Sequence, residues 1–489
     1  MTTQTALQIK AAEALRVLHE AGYEAFLVGG YVRDFLLGLS PHDVDIATSA
    51  TPTQIQSAFS SYPHYLAGER HGTVGVVMDG EKVEITTYRA ETYDGVTRHP
   101  VVRFGVSLRE DLSRRDFTVN ALAMSADGAV IDYHGGARDL AKGLIHVVEG
   151  SANRFHEDPL RLMRAVRLAA QLQFAITPTT VTAIIQTAGE LRRVSRERVR
   201  DELNKTLLTR EPGRGLSMLE SLTLLPHVIP ELQEGVGIHQ TYPHHKDVFG
   251  HTILVLEGAA ALTAALTADL TADEENGAGV NDRDGIGLTA VRRGIHFQEA
   301  QPQPALRLRL AALLHDVAKP RTKSVEGGTV HFYRHEYLGA EMALNIMEGL
   351  RYRQKEAKEV ARLVELHMRP NLYERSFRNA AVRRLVRDAG ELLPDLLSLS
   401  RCDITGQRAG RLEEALGRLD HLRARTEEVG IVEAATVVSP LDGKEIMEIL
   451  GIGPGPEVGR VKRALEEAVV AGAVEGVREA AAFVLAAAG

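Results

Sequence analysis

The 489-residue sequence contains one cysteine, Cys402, and no tryptophan, and aromatic residues make up only 5% of it. A single cysteine excludes an intramolecular disulfide and is typical of a reducing compartment. The first residues do not combine a basic segment with an apolar stretch, so we expect no secretory signal and a cytoplasmic location. We also find no apolar run long enough to span a membrane, and expect no membrane partner.

The chain also lacks an excess of positive charge, since its formal net charge is -8. This total does not exclude a nucleic-acid partner, because binding depends on where the cations lie rather than on their sum. One segment concentrates them and is a candidate basic face: Arg192, Arg193, Arg196, Arg198 and Arg200.

The order of predicted elements indicates an α+β protein of several domains. Up to about residue 140, short β-rich runs alternate with helices, and beyond it apolar residues recur at three- and four-residue spacing, which is typical of helices. Residues 268–304 are rich in Ala, Gly, Asp and Glu, and we expect a mobile insertion there. The predicted strands are Ala25–Val28, Asp43–Ala47, Thr73–Val77, Val83–Tyr88 and Val130–Tyr133.

The richest motif begins where the first strand ends. Gly29 and Gly30 let backbone N–H groups approach an anion closely, and Arg33 adds a guanidinium that suits phosphate. Asp43 and Asp45 follow at alternate positions, so on a strand both carboxylates face one side. Two hard oxygen ligands are what Mg²⁺ requires when it also holds substrate phosphates. The combination predicts a nucleotidyl-transfer site, although either motif alone is more often a turn or a solvated strand end.

A second motif, at residues 114–121, joins two arginines to a carboxylate and an amide. Arg115 is suited to bind a triphosphate, and Asp116 is suited to accept a hydrogen bond from a ribose hydroxyl. Alone, the segment could equally be a capped helix start with surface charges.

With this motif the chain resembles the class II tRNA nucleotidyltransferases, the family of CCA-adding enzymes and bacterial poly(A) polymerases. The resemblance continues through residues 132–140, 157–167 and 195–203. It implies a polymerase-β-like palm, followed by an all-α neck, an HD domain and a helical tail. It also implies that Asp43 and Asp45 hold the catalytic Mg²⁺.

Residues 157–161 look like the family's templating motif. The resemblance implies that Asp158 and Arg161 pair with the base edge of CTP or ATP, and that Arg164 and Arg167 reach the nucleotide. If the segment is helical, positions three apart share a face, so acceptor and donor project together. A carboxylate accepts from an exocyclic amino group, which C and A carry at the position where U and G carry a carbonyl oxygen.

A separate set of histidines and aspartates resembles the metal site of HD domains. His315 and Asp316 are adjacent within an apolar helix, where unpaired charge is costly. His251 and Asp403 complete the implied ligand set, and His335 and His367 could hold a second ion. Mixed His/Asp ligation suits Mn²⁺, Ni²⁺, Fe²⁺ or Zn²⁺ better than Mg²⁺, which stays open as the alternative ion. The implied activity is phosphohydrolysis, with a non-catalytic scaffold as the alternative.

We therefore expect four regions: a head (1–140), a helical neck (141–238), an HD domain (239–408) and a helical tail (409–489) that binds tRNA. The expected reaction adds C and A to the tRNA 3′ end from CTP and ATP, and the partner is tRNA through its 3′ end and acceptor/T arm. Addition of A alone and poly(A) synthesis stay open as alternatives. A loop at residues 89–100 resembles one that CC-adding relatives lack, which argues against CC-only addition.

Overall fold

The computed structural model describes residues 6–68, 72–92, 101–148, 151–240, 246–275, 302–404, 409–434, 440–470, 473–474 and 476–487. The chain forms two compact units, the first built from the described residues of Met1–Pro230 and Thr267–Pro302 and the second from those of Glu231–Leu266 and Gln303–Gly489. The first combines a sheet with helices and the second is mainly helical, so the α+β expectation is confirmed.

The first unit contains short strands that alternate with helices. Its strands are β1 (Ala25–Val28), β2 (Val44–Thr48), β3 (His64–Gly68), β4 (Thr73–Met78), β5 (Glu81–Thr87), β6 (Arg89–Thr92), β7 (Val101–Phe104), β8 (Leu122–Met124), β9 (Val130–Asp132), β10 (Leu144–Ile145) and β11 (Ala175–Ile176). Its helices are α1 (Ala6–Glu20), α2 (Gly30–Leu36), α3 (Pro52–Ala58), α4 (Leu108–Ser113), α5 (Gly136–Ala141), α6 (Ser151–Glu157), α7 (Leu160–Leu172), α8 (Pro178–Thr187), α9 (Arg196–Leu207), α10 (Pro212–Ser221) and α11 (Leu225–Val228).

Seven of these strands form one sheet in the order β3-β4-β5-β2-β1-β8-β9. β2 runs parallel to β5 and antiparallel to β1. Because side chains alternate along a strand, Val44 and Ile46 join the core beneath α1, whereas Ala47 joins the opposite cluster with Leu108 and Leu112 of α4. Asp45 shares the parity of Ala47, so the sheet directs it to the α4 side.

Residues 89–100, which we expected to form a loop, begin as a strand. β6 pairs with β7 in a two-stranded antiparallel ribbon, and the remaining residues of the expected loop, 93–100, lie outside the described residues. The sequence patterns also do not predict β3, β7, β8, β10 and β11, because each is short and none shows a clear alternation.

The second unit begins within α12 (Pro230–Gln233) and is built on helices that bring distant parts of the chain together. A small antiparallel ribbon, β12 (Lys323–Glu326) with β13 (Thr329–Phe332), interrupts them. The helices are α13 (Val248–Glu275), α14 (Pro302–Leu314), α15 (Lys319–Thr322), α16 (His335–Gly349), α17 (Gln354–Leu366), α18 (Met368–Asn371), α19 (Asn379–Ala389), α20 (Leu393–Ile404), α21 (Ala409–Ala434), α22 (Gly443–Leu450), α23 (Pro456–Val470) and α24 (Val477–Ala487).

The expected insertion at 268–304 overlaps the end of α13 and the start of α14, and its residues 276–301 lie outside the described residues. The last three helices, α22 to α24, share a separate hydrophobic cluster that includes Ile446, Val461 and Val484. By contrast, α21 packs against α19 and α20, and Tyr373 of the HD region donates to His421 of α21 or accepts from it at 2.8 Å.

One stretch of α13, Val248–Ala265, is apolar and long enough to cross a membrane by composition alone, which the sequence inspection overlooked. A core helix of a globular domain passes the same test. Val255, Leu256 and Ala259 of this stretch are fully buried, and the helix also carries His251. It therefore gives no independent reason to place the chain in a membrane.

Candidate active sites

The turn between β1 and α2 depends on glycine. Gly29 has φ 71° and ψ -132°, a conformation that side chains with a Cβ rarely adopt. A Cβ at Gly29 would also stand 2.9 Å from Nη1 of Arg115 and 3.7 Å from Oδ2 of Asp45. The absent side chain thus lets an arginine of the second motif approach the carboxylate of the first.

The predicted carboxylates lie at the start of β2. Asp45 is partly buried and stands opposite Glu84 of β5 in the parallel register, whereas Asp43 is exposed and comes just before the strand. Strand alternation therefore does not by itself orient Asp43, contrary to the sequence argument. From the sequence, Glu84 is a candidate third carboxylate on a neighbouring strand, but an ordinary polar strand position is the favoured interpretation. Its neighbour across the ladder depends on the strand order, which the sequence does not give.

Electrostatics distinguish Asp45 from an ordinary surface aspartate. Burial raises the pKa of Asp45 to about 6; the cation of Arg115 opposes the shift, and the carboxylates of Glu84 and Asp43 add to it. A cluster of carboxylates with too little positive charge around it is what a divalent cation would stabilise. The residues present therefore fit Mg²⁺.

Arg33, a predicted phosphate ligand, is engaged by other groups of the protein. Its side chain is buried; Nε and Nη2 donate to Asp34, and Nη1 donates to Oδ1 of Asn120 at 2.8 Å. The guanidinium thus joins α2 to the second motif, and its role as a phosphate ligand stays a prediction. Nη2 also lies 3.6 Å from where a Cβ of Gly30 would be.

Asp116 is held by a network rather than exposed to solvent. Its Oδ1 accepts from the Phe117 N–H and from Asn120, and its Oδ2 accepts from Nε of Arg164 at 2.8 Å. Burial alone would raise the pKa of Asp116, but Arg164 and Asn120 hold it well below its usual range. The carboxylate is therefore ionised and ready to accept a hydroxyl donor.

The neck helix begins later than the sequence predicts. α6 ends at Glu157 and α7 starts at Leu160, because Pro159 interrupts the helix between them. Asp158 lies in this break and not on α7. The prediction that Asp158 and Arg161 share one face of a helix is therefore wrong. The Asp158 carboxylate accepts from Arg198 at 2.8 Å instead.

Arg161 is buried and turned toward other partners. Its Nη1 donates to Glu157 and to the Arg154 carbonyl, and its Nη2 donates to the Arg114 carbonyl at 2.9 Å. A role for Asp158 and Arg161 in reading the base stays a prediction.

Arg164 and Arg167 share a buried partner that the sequence did not single out. Glu202 of α9 accepts from Nε of Arg167 at 2.7 Å and lies 3.8 Å from Nη1 of Arg164. Their spacing of three residues on α7 was the available signal for a common partner. Two arginines of the predicted basic face have different partners. Arg198 donates to the Asp158 carboxylate, whereas Arg196 donates to the backbone carbonyls of His227 and Val228.

The second unit brings the predicted HD residues together from separate segments. His251 lies on α13 and Asp403 on α20, but His315 and Asp316, predicted within an apolar helix, lie in the turn between the end of α14 at Leu314 and the start of α15 at Lys319. Nε2 of His251 lies 2.8 Å from Oδ1 of Asp403 and 3.6 Å from Oδ2 of Asp316. Nε2 of His315 lies 3.1 Å from the same oxygen of Asp316. The four residues are separated by up to 152 positions, and only the folding of α13, α14 and α20 makes them neighbours.

The two further histidines lie on the other side of Asp316. Nε2 of His335 is 3.4 Å from Oδ1 of Asp316, and Nε2 of His367 is 3.8 Å from it. One ligand atom from each residue brings two buried triads to within metal-binding distance: His251, His315 and Asp316, and Asp316, His335 and His367. Asp316 is common to both.

Backbone carbonyls orient three of these rings. Nδ1 of His315 lies 2.8 Å from the Ala312 carbonyl, Nδ1 of His335 lies 2.7 Å from that of Phe332, and Nδ1 of His367 lies 2.6 Å from that of Val364. Each bond places the proton on Nδ1 and turns the lone pair of Nε2 toward the centre, which is how metal-ligating histidines are commonly held. Nδ2 of Asn371 donates to Oδ2 of Asp403 at 2.6 Å and so orients this carboxylate.

The donor set fits a transition metal. Nε2 of His315 is buried and, within the described part of the chain, has no partner with hydrogen-bond geometry. Oδ2 of Asp316 is buried as well and lies beside the Lys319 ammonium. Burial lowers the pKa of His367 to about 4, and nearby His315 acts in the same direction, so this ring is neutral. The sequence analysis does not single out Lys319, whose Nζ lies 2.7 Å from Oδ2 of Asp316. Its position three residues after Asp316 was the available signal for this contact.

Fold and sites together define a polymerase-type nucleotidyltransferase head followed by a helical unit with a candidate metal-binding cluster of the HD type. Residues 25–146 match the poly A polymerase head domain family, and residues 248–405 match the HD domain family. Residues 173–235 match a family described as the probable RNA and SrmB-binding site of polymerase A.

Known relatives identify the family. The A-adding tRNA nucleotidyltransferase of Deinococcus radiodurans is 35% identical over 471 residues, which cover 94% of each chain. The chain belongs to the tRNA nucleotidyltransferase family. The CCA-adding enzyme of Lactobacillus johnsonii is 51% identical over 196 residues, covering 40% of this chain and about half (49%) of that relative.

Solved structures agree on the architecture. The Bacillus stearothermophilus CCA-adding enzyme, determined with CTP, is 26% identical with a TM-score of 0.63, and the match covers 99% of this chain and 98% of that one. The Thermotoga maritima CCA-adding enzyme, determined with tRNA, matches at a TM-score of 0.53 with 19% identity, covering 99% of this chain and 96% of that one. The latter likeness concerns the fold alone.

Proposed function

We propose that this protein builds the 3′ CCA end of tRNA from CTP and ATP by nucleotidyl transfer that releases pyrophosphate. The observation that carries the proposal is the meeting of Asp45, Glu84 and Arg115 beside the Gly29 turn. Carboxylates there would hold Mg²⁺, and a guanidinium would lie where a triphosphate must be neutralised.

Asp43 and Asp45 are the residues we assign to the Mg²⁺, with Glu84 as a further carboxylate of the same cluster. The metal would supply Lewis-acid activation of the RNA 3′-hydroxyl and charge neutralisation at the phosphates. Asp116 accepts a hydrogen bond from a ribose hydroxyl of the bound nucleotide. Arg115 and the Gly29–Gly30 turn bind the phosphates of that nucleotide. Arg33 supports that turn through Asp34 and Asn120.

Base selection is assigned to the neck. Asp158 and Arg161 offer an acceptor and a donor for the Watson–Crick edge, and Arg164 and Arg167 complete the pocket. Because Asp158 is paired with Arg198 and Arg161 with backbone carbonyls, nucleotide entry must exchange these partners. A pocket whose polar groups are already hydrogen-bonded penalises a base that cannot replace those bonds.

Addition of A alone is the second candidate, because the relative matched over 94% of both chains is named an A-adding enzyme. Three tRNA transcripts separate the two: one ending at the discriminator base, one after the first C and one after the second C. Extension of all three to CCA with CTP and ATP supports the proposal. Extension only of the last, by one A, identifies an A-adding enzyme, and long A tails on any RNA identify a poly(A) polymerase.

We also assign phosphohydrolase activity to the HD centre, on RNA 3′ ends that carry a phosphate or a 2′,3′-cyclic phosphate. His251, His315, Asp316 and Asp403 would hold a transition metal such as Mn²⁺, Ni²⁺, Fe²⁺ or Zn²⁺, and His335 and His367 would hold a second ion with Asp316. The two triads around Asp316 support this assignment. Loss of cyclic-phosphate opening in His315→Ala is expected, and unchanged hydrolysis would leave the centre as a scaffold.

The four-region division remains our assignment: head 1–140, neck 141–238, HD domain 239–408 and tail 409–489. The separate hydrophobic cluster of α22 to α24 supports an independently packed end of the tail. We assign to that tail the contact with the acceptor/T arm of tRNA and place the enzyme in the cytoplasm, where its RNA and nucleotide substrates occur.

A further inference from the structure

Asp111, on α4, is the buried centre of a cluster that neither the sequence motifs nor the proposed chemistry assigns. Its carboxylate is 1% exposed. Oδ1 accepts from Nε and Nη2 of Arg114 at 3.1 and 2.8 Å and from the Arg89 N–H at 3.3 Å. Oδ2 accepts from Nη2 of Arg115 at 3.4 Å. One carboxylate thus holds both arginines of the second motif.

Arg114 and Arg115 differ in how many of their N–H groups are left to bind a ligand. Arg114 is committed to the protein, since its Nε also donates to the Arg89 carbonyl and its own carbonyl accepts from Arg161. Arg115 donates only one long bond to Asp111, and its buried Nε has no hydrogen-bond partner among the described residues. Its Nη1 faces the Gly29 turn and Asp45.

We propose that Asp111 is the positioning residue that aims the Arg115 guanidinium at the nucleotide triphosphate. This inference rests on the proposed nucleotidyl transfer. Since Asp111 and Arg115 are four residues apart, the carboxylate restrains the guanidinium from within the same chain segment. A restrained arginine loses less conformational freedom when it binds phosphate, so the restraint lowers the cost of binding.

Binding of ATP alone tests the inference without requiring turnover. Titration calorimetry with Mg²⁺ and no RNA should give a Kd about tenfold higher for Asp111→Asn, since the charge-assisted bond to Arg115 is lost. Arg115→Ala should raise the Kd further. In the double variant, Asp111→Asn should add less than about a twofold change, because its effect passes through Arg115.

Asp395→Asn is the matched control. It breaks another partly buried carboxylate–guanidinium pair, with Arg307 at 2.6 Å in the second unit, and should cost stability without changing the ATP Kd. Additive effects of Asp111→Asn and Arg115→Ala, or an unchanged Kd in Asp111→Asn, would overturn the inference. A protein that binds ATP with the expected coupling but transfers nothing to tRNA would overturn only the proposed function.

Discussion

The two candidate metal sites of this chain are built on opposite plans. The palm site is open, offers only carboxylate oxygens, and takes two of its acids from neighbouring strands, Asp45 and Glu84. The HD site is buried, mixes imidazole with carboxylate, and gathers its ligands from segments far apart in sequence. An exposed oxygen site suits a metal that arrives with a nucleotide, whereas a buried nitrogen-containing site suits a resident ion.

The support behind the ligands differs in the same way. Around Asp45, burial and two like charges raise the pKa, and one arginine opposes them. Around Asp316, His315 and Lys319 outweigh burial and hold the pKa well below its usual range. The palm carboxylates therefore have little positive charge of the protein around them, whereas Asp316 has the Lys319 ammonium beside it. The rates of nucleotide transfer and of hydrolysis should consequently respond differently to mutation and to the metal supplied, and stability should depend on pH at the palm.

The largest effect should come from separating the two activities by mutation. Asp43→Ala should lower nucleotide addition about a thousandfold or more, because Mg²⁺ loses a ligand, and should leave HD hydrolysis within about twofold of wild type. His315→Ala should do the reverse. Gel assays of tRNA extension and of cyclic-phosphate opening measure both. A variant that lost both activities while remaining folded would refute the independence of the sites.

Removal of bound metal ions should show that the two activities require different ions. After dialysis against a chelator, addition of Mg²⁺ alone should restore nucleotide transfer, while hydrolysis should require Mn²⁺, Ni²⁺, Fe²⁺ or Zn²⁺. Elemental analysis of the purified protein should find the resident ion in wild type and not in His315→Ala. Full hydrolysis with Mg²⁺ alone would contradict the ligand argument.

Glu84→Gln should have an intermediate effect, lowering transfer about 10- to 100-fold. It keeps the shape of the side chain and removes the charge that stands opposite Asp45. Glu81→Gln, at the start of the same strand, is the matched control and should stay near wild type. If both variants behaved alike, Glu84 would be an ordinary strand residue.

The smallest effect concerns stability and pH. In the metal-free protein the folded pKa of Asp45, about 6, exceeds its ordinary value of 3.8, so folding favours the protonated form. The contribution of Asp45 to stability therefore falls as the pH rises from about 4 to about 6 and stays low above that range. Asp45→Asn should raise the Tm by a few degrees at pH 7.5 and by less at pH 4.5.

Saturating Mg²⁺ gives the control for this measurement. The ion stabilises ionised Asp45, so it should raise the Tm of wild type and narrow the gap to Asp45→Asn. An unchanged or lowered Tm in metal-free Asp45→Asn at pH 7.5 would show that burial does not penalise this charge.

Much of the site was predictable because it is local. Gly29, Asp45 and Arg115 each carry chemistry that follows from residue type and short spacing, and the resemblance of His315, Asp316 and Asp403 to the HD domain pattern implied a metal. The strand alternation of Val44 and Ile46 likewise follows from the period of a β-strand. These inferences needed no knowledge of which elements pack together.

The remaining features depended on tertiary structure. The pairing of Asp45 with Glu84 follows from the parallel order of β2 and β5, the break at Pro159 sends Asp158 to Arg198, and Glu202 meets Arg164 and Arg167 only when α7 packs on α9. The sequence determined which groups are present and what each can do. Which partner each group meets was decided by the fold, because contacts between distant segments depend on packing and burial rather than on local spacing.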